Sequence, residues 1–309
     1  MTISGVNCLI TGANGFVGAS LARRLSQGGG NVFLLVRPGS DPWRLKGLEE
    51  RILPCDLLDK ESLKTVLAQS RPDRVYHLAA HGGYPFQKDP ARILETNLMG
   101  TLNLLQACAQ SPCRLFVQAG SSSEYGFKKE PMRETDLLEP NSYYAVGKAA
   151  ATHLCSFFGA TAPFAAVTLR LFSVYGPFEE PTRFIPTLLR RALRHEPIEL
   201  AARDTARDFI YVEDVVEAFL RTDALKALGT GVLNIGSGVQ STLGDAVRIA
   251  MELTGSKSEL RWGAMEPRAW DAACWVASIE KSRVALDWRP LYGLSQGLEK
   301  TLRWMGEAL

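Results

Sequence analysis

The sequence predicts an α/β protein built on a doubly wound parallel sheet. Short apolar runs recur through the first 170 or so residues, each long enough for a strand buried on both faces. Helical stretches alternate with them, which is the rhythm of βα units. Where the first run meets the first helix stand Gly12, Gly15 and Gly18, at a three-residue spacing.

The chain has 309 residues, enough for one large or two fused domains. With 46% hydrophobic and 22% charged residues it reads as an ordinary globular protein. A net charge of +2, with no block rich in Lys or Arg, argues against a nucleic-acid partner, and Arg190, Arg191 and Arg194 read as a solvated helix face. Six scattered cysteines without a Cys-x-x-Cys pair, and four dispersed histidines, suggest no metal site. Buried free thiols in a reducing cytoplasm are expected. No apolar run reaches membrane-spanning length, and no basic region precedes a hydrophobic signal at the N-terminus.

Val6–Thr11 is the first strand, followed by the loop Gly12, Ala13, Asn14, Gly15, Phe16, Val17, Gly18 and a helix to about Gln27. Glycines there allow a tight turn and close approach of a pyrophosphate, and the helix N-terminus offers amide donors. This is the Rossmann-like arrangement for a dinucleotide. Asn31–Val36 is the second strand, and Arg37 and Ser40 stand where a free ribose 2′-hydroxyl usually meets an acid. Both suit a 2′-phosphate, which favours NADP(H) over NAD(H). Ile52–Cys55 ends at Asp56 and Leu57, an adenine-edge acceptor, and Asp59 caps a helix to about Ser70.

Arg74–Leu78 is the fourth strand. Ala79 and Ala80 after it keep the backbone open to a ligand, and the loop carrying Tyr84 lies at the carboxyl edge of the sheet. One long helix is expected from about Ala91 to Gln110, with Asn97 as polar support for the site. Leu115–Ala119 is the fifth strand, and it runs into Ser121, Ser122, Ser123 and Glu124, with hydroxyls directed at the crevice.

Tyr144 and Lys148 then stand four residues apart in a helical segment, and so on one face. A cation beside a phenol lowers its pKa, and a tyrosine that exchanges protons suits alcohol–ketone chemistry. Beyond Gly176 the βα rhythm fades and prolines cluster. Arg183, Arg207 and Arg268 stand there in loop-like contexts, and forked guanidiniums suit a diphosphate. Trp262, Trp270 and Trp288 read as core filling, with base stacking as the alternative.

Taken together, Thr11-Gly12-x-x-Gly15-Phe16-x-Gly18, His77-Leu78-Ala79-Ala80, the Ser121–Gly126 loop, Tyr144-x-x-x-Lys148, Leu169–Pro177, Ala206–Val215, Asn234–Gly238 and Asp287–Pro290 resemble the extended short-chain dehydrogenase/reductases. These are nucleotide-sugar epimerases, dehydratases and 4-keto reductases. The resemblance implies a cofactor domain over 1–172, with part of 208–236 returning to it. It also implies a smaller α/β substrate lobe, mainly 173–309, over a nucleoside-diphosphate sugar. Tyr144 is implied as the acid/base, Lys148 as holder of the nicotinamide ribose, and Ser121 as the catalytic hydroxyl, with Ser122 a near alternative. The other implied contacts are Gly12, Asn14, Gly15, Phe16, Val17, Gly18, Leu78, Ala79, Ala80 and Asn97 toward the cofactor. Tyr84, Ser122, Ser123, Glu124, Arg183, Arg207 and Arg268 are implied toward the substrate.

A homodimer through a four-helix bundle is also implied, with Ala149, Ala150 and Ala151 suited to close helix packing. Arg37 and the serine loop favour a reductase of a 4-keto sugar. The alternative is a 4-epimerase with tightly held NAD. A dehydratase needs an acid one or two positions after the catalytic hydroxyl, where Ser122 and Ser123 stand. A non-catalytic regulator has no need of both Tyr144 and Lys148.

Overall fold

The computed structural model describes residues 3–84, 86–265 and 272–307. The first elements are β1 (Asn7–Thr11), α1 (Phe16–Gln27), β2 (Asn31–Val36), β3 (Ile52–Pro54), α2 (Lys60–Ser70) and β4 (Arg74–His77). Asp59 does cap α2, accepting from the Glu61 and Ser62 amides. The helix expected next as one piece is divided into α3 (Pro90–Leu94), a π-helical turn (Glu95–Met99) and α4 (Gly100–Cys108). The wide turn carries Asn97, which is buried and holds the backbone of His81 from both sides: its Oδ1 accepts from the amide (2.9 Å) and its Nδ2 donates to the carbonyl (2.8 Å). Such turns recur at functional sites. β5 (Leu115–Ser121), α5 (Tyr143–Thr161) and β6 (Ala165–Leu171) complete the alternating half.

The remaining elements are β7 (Ser173–Tyr175), α6 (Phe184–Leu193), β8 (Ile198–Leu200), β9 (Ala206–Arg207), β10 (Phe209–Tyr211), α7 (Val212–Arg221), β11 (Thr230–Ile235), β12 (Ser241–Thr242), α8 (Leu243–Thr254), β13 (Leu260–Trp262), α9 (Glu280–Leu286) and α10 (Leu294–Glu307). The central sheet has seven strands, all parallel, in the order β11-β6-β5-β4-β1-β2-β3. This is the doubly wound Rossmann-like fold. Chain order reverses at β1, between β2 and β4, and the crevice beyond the carboxyl ends of those strands is where such sheets bind ligands.

Apolar side chains fill both faces of the sheet. Ile10, Leu34, Val117 and Val167 pack with Leu21, Val215 and Phe219 on one side. Leu9, Val75 and Phe116 pack with Leu63, Leu104 and Cys155 on the other. A separate core of Tyr175, Leu189, Phe209, Val247 and Leu298 lies among the later elements, whose strands, apart from β11 in the central sheet, pair in twos. The buried Asp208 carboxylate ties that region together, accepting from the amides of Ser237 (2.6 Å), Gly238 (3.1 Å) and Ala277 (3.0 Å).

All six cysteines are free thiols. No helix among the described residues is long and apolar enough to cross a membrane. Ala149 and Ala151 are buried within the chain itself.

Candidate active site

The glycine loop is shaped by contact with the next strand. Gly12 has φ +65°, and a Cβ there would lie 2.5 Å from the Ala79 amide nitrogen; a Cβ on Gly18 would lie 2.2 Å from the Gly12 carbonyl oxygen. Only glycine fits either place. Gly15 stands at the N-cap of α1 and supplies no side-chain cap, and no acid lies in the first turn, so the leading amides stay available to an anion. These features fit a dinucleotide pyrophosphate.

Beneath the loop lies a polar chain that sequence reasoning passed over. Thr11 Oγ1 is 2.7 Å from His77 Nδ1 and accepts from the Ala79 amide (3.3 Å). His77 Nε2 is 2.9 Å from Thr101 Oγ1, which donates to the Asn97 carbonyl (2.6 Å). Burial, helped by the Lys148 cation, pulls His77 down to about 3, so the imidazole is neutral and holds position rather than titrating. A histidine and a threonine in an otherwise apolar strand run were the available signal.

Ser121 ends β5, and Tyr144 and Lys148 occupy the first turns of α5, where the Ser142 side chain caps the helix by accepting from the Ala145 amide (3.2 Å). Of the three serines it is Ser121 whose side chain acts on the Tyr144 phenol. Burial raises the Tyr144 pKa, Glu124 and Tyr84 add to the rise, and the Ser121 hydroxyl and the Arg183 cation pull it back. The expectation that Lys148 lowers this phenol is therefore corrected: burial wins in the protein alone. Lys148 is itself buried, and desolvation lowers its pKa against the opposing pull of Glu124.

Glu124 is not a crevice residue. Its fully buried carboxylate accepts from the Ser121 amide (2.8 Å), Thr152 Oγ1 (2.9 Å) and Arg170 Nε (2.7 Å). Arg170 also donates to the Tyr125 hydroxyl (2.9 Å), which donates in turn to Asn234 Oδ1 (2.6 Å). The substrate contact expected of Glu124 is thus corrected to internal support. Ser122 is buried, and Ser123 donates its amide to Ser121 Oγ (3.2 Å).

The predicted cofactor residues divide in a similar way. Arg37 is exposed, and with Ser40 it borders a shallow hollow of about 280 Å³ at the end of β2. Asp56 stays at the edge, paired with Arg92 (3.2 Å). Leu57 turns into the core and gives its carbonyl to Asn103 Nδ2 (3.0 Å), which corrects its side chain's expected place at the cofactor. Asn97 likewise spends its amide on His81 and supports the loop instead of facing a ligand. Asn14 lies in the glycine loop with its Nδ2 3.5 Å from the Asp41 carbonyl, and Leu78, Ala79 and Ala80 follow β4 beside that loop.

On the opposite bank, Arg183 donates to the Gly83 carbonyl (3.2 Å) beside Tyr84, whose ring stacks on Phe86 at 5.4 Å. Arg207 is half-buried on β9 and donates to the Ala206 carbonyl (2.7 Å). Arg268 and Trp270 lie outside the described residues. Trp288 is core, donating to the Asp214 carbonyl (3.0 Å), and Trp262 packs at the edge of the second core. Among the described residues no group of His, Cys, Asp and Glu is placed to hold a metal ion.

Residues 8–236 match the model of the NAD dependent epimerase/dehydratase family. The chain belongs to that family. A family member, UDP-glucuronate 4-epimerase of Thermodesulfobacterium geofontis, is 28% identical, over 97% of this chain and 96% of its own. GDP-6-deoxy-D-mannose reductase of Pseudomonas aeruginosa is 29% identical over 95% of each. The solved structure of MoeE5 in complex with UDP-glucuronic acid and NAD superposes with a TM-score of 0.87 at 34% identity, covering 98% of this chain and 100% of that one.

Proposed function

We propose that this family member is a nucleoside-diphosphate-sugar 4-epimerase that works with retained NAD, on a UDP-sugar. The observation that carries the reading is the Ser121 side chain acting on the Tyr144 phenol, with Lys148 buried one helical turn further on and the Glu124 carboxylate fully buried against Arg170, away from the crevice. That set manages a proton on a sugar hydroxyl and offers no free acid at Ser121 to drive loss of water. Relatives that epimerise at C4, and a neighbour seen with NAD and a UDP-sugar, support the same choice.

Bound NAD supplies hydride acceptance and return at the sugar carbon. Tyr144 takes the proton of the reacting hydroxyl and gives it back, and Ser121 donates to the oxygen as its charge changes. Lys148 holds the nicotinamide ribose and keeps positive charge beneath the phenol. Arg183, Arg207 and Arg268 are assigned to the diphosphate, and Tyr84 to the sugar side. The assignment gives 1–172 with β11 to the cofactor and most of 173–309 to the sugar nucleotide, in a cytoplasmic homodimer. Tyr143, Val146 and Phe157, exposed along α5, supply its contact face; a monomeric mass in solution contradicts that part.

Native mass spectrometry of the purified protein tests the reading. Retained NAD is expected, and a site that is empty until NADPH is added opposes it. That second outcome belongs to a 4-keto-sugar reductase, which Arg37 and Ser40 at the end of β2 favour. On the reductase reading Arg37→Ala weakens NADPH far more than NADH, and on the epimerase reading it changes NAD binding little.

A further inference from the structure

Arg44 stands outside every expectation drawn from the sequence, yet it joins three distant segments. It follows the β2 loop that carries Arg37 and Ser40, in a short helical turn, and its side chain is only 7% exposed. Its Nε donates to the Phe178 carbonyl (2.7 Å), one terminal nitrogen to Glu180 Oε2 (3.1 Å) and the other to the Asn14 carbonyl of the glycine loop (3.4 Å). The guanidinium also lies 4.2 Å from the centre of the Trp43 ring.

The segment it grips is held under strain. Phe178 has φ +69°, a conformation costly for a bulky residue. Its ring is fixed by Trp304 (5.0 Å between centroids) and by the Arg23 guanidinium (4.8 Å), while Arg23 donates in turn to the Arg44 carbonyl (2.7 Å). The surroundings thus over-determine the position of 178–180, and the guanidinium fork is the piece that links it to both cofactor loops.

We infer that Arg44 is a positioning residue for cofactor retention: it straps Phe178–Glu180 to the glycine loop and the β2 loop, so that a bound dinucleotide leaves only when the strap opens. The inference rests on the proposed dinucleotide site and gives a physical basis for keeping NAD between turnovers. Each link is a charge-assisted or carbonyl hydrogen bond from a buried cation, which water does not readily replace.

The test is the dissociation rate of radiolabelled NAD from loaded, gel-filtered protein, chased with excess unlabelled NAD and no sugar present. Arg44→Ala is expected to release label at least roughly tenfold faster, as loss of charge-assisted bonds implies. Glu180→Ala gives a smaller acceleration, and Glu180→Gln, which still accepts from Arg44, restores near wild-type retention. Val247→Ala, a cavity in the second core, serves as the control for general destabilisation and leaves the rate unchanged. If Arg44→Ala does not fold, the Glu180 pair decides alone. A rate within twofold of wild type in Arg44→Ala and Glu180→Ala, or equal acceleration in the Val247 control, overturns the strap. If the protein loads NADP instead, the epimerase reading fails, but the strap predicts the same acceleration for that dinucleotide.

Discussion

Glu124→Ala removes an acceptor that three buried donors share. Glu124 and Arg170 have side chains 0% and 4% exposed and lie 2.7 Å apart, so the substitution strands a guanidinium in the interior with Tyr125, its hydroxyl and its ring face, left as partner. Breaking a buried pair from one side costs about 3–5 kcal/mol. The Ser121 amide and the Thr152 hydroxyl, both buried, lose their acceptor as well. A fall in melting temperature on the order of 10 °C follows for a chain of this size.

Glu124→Gln falls between the two, because its amide places one N–H group against a donor whichever way it turns. Urea and thermal unfolding followed by circular dichroism measure all three proteins. If Glu124→Ala lies within about 1 kcal/mol of wild type, the network does not hold β5 to α5 and the account of how Ser121 is placed is wrong.

Tyr144→Phe is expected to lower turnover by roughly 10²–10⁴-fold while leaving NAD content nearly unchanged, read by product analysis and native mass spectrometry side by side; unchanged turnover rules out the phenol as proton carrier. Glu179 gives a pH signature. Burial pushes its carboxyl up to about 8, with Arg183 and the Gly176 amide pulling the other way. The folded protein therefore keeps a proton that the unfolded chain has lost, so this contribution to stability is full below the ordinary carboxyl range and is lost as pH rises through about 8. Glu179→Gln should become more stable relative to wild type by at least about 1 kcal/mol between pH 5 and pH 8, and parallel stability curves for the two proteins contradict it.

What the sequence reveals is local, and what it hides depends on distant partners. The Gly12, Gly15 and Gly18 spacing, the order of strands and helices, and Tyr144 with Lys148 are each set within a few residues, so they can be read along the chain. Asn97 reads as polar support on an unbroken helix, and only the π-helical turn shows that what it supports is the backbone of His81, 16 residues away. Glu124 reads as a loop acid because Arg170, 46 residues on, comes from the neighbouring strand. Arg44 is silent in the sequence because Glu180 lies 136 residues further. The same holds for the Tyr144 phenol: helix spacing shows the lysine one turn away but not the burial that raises the phenol's pKa.

Incubating the purified protein with UDP-glucose or UDP-glucuronate and no added cofactor tests the central claim most directly, with the sugar followed by proton NMR. The account predicts conversion to the C4 epimer, approaching one equilibrium mixture from either side, with no net change in oxidation state. Absence of epimer from both sugars, together with NADPH-dependent reduction of a 4-keto sugar nucleotide by the same preparation, would contradict it.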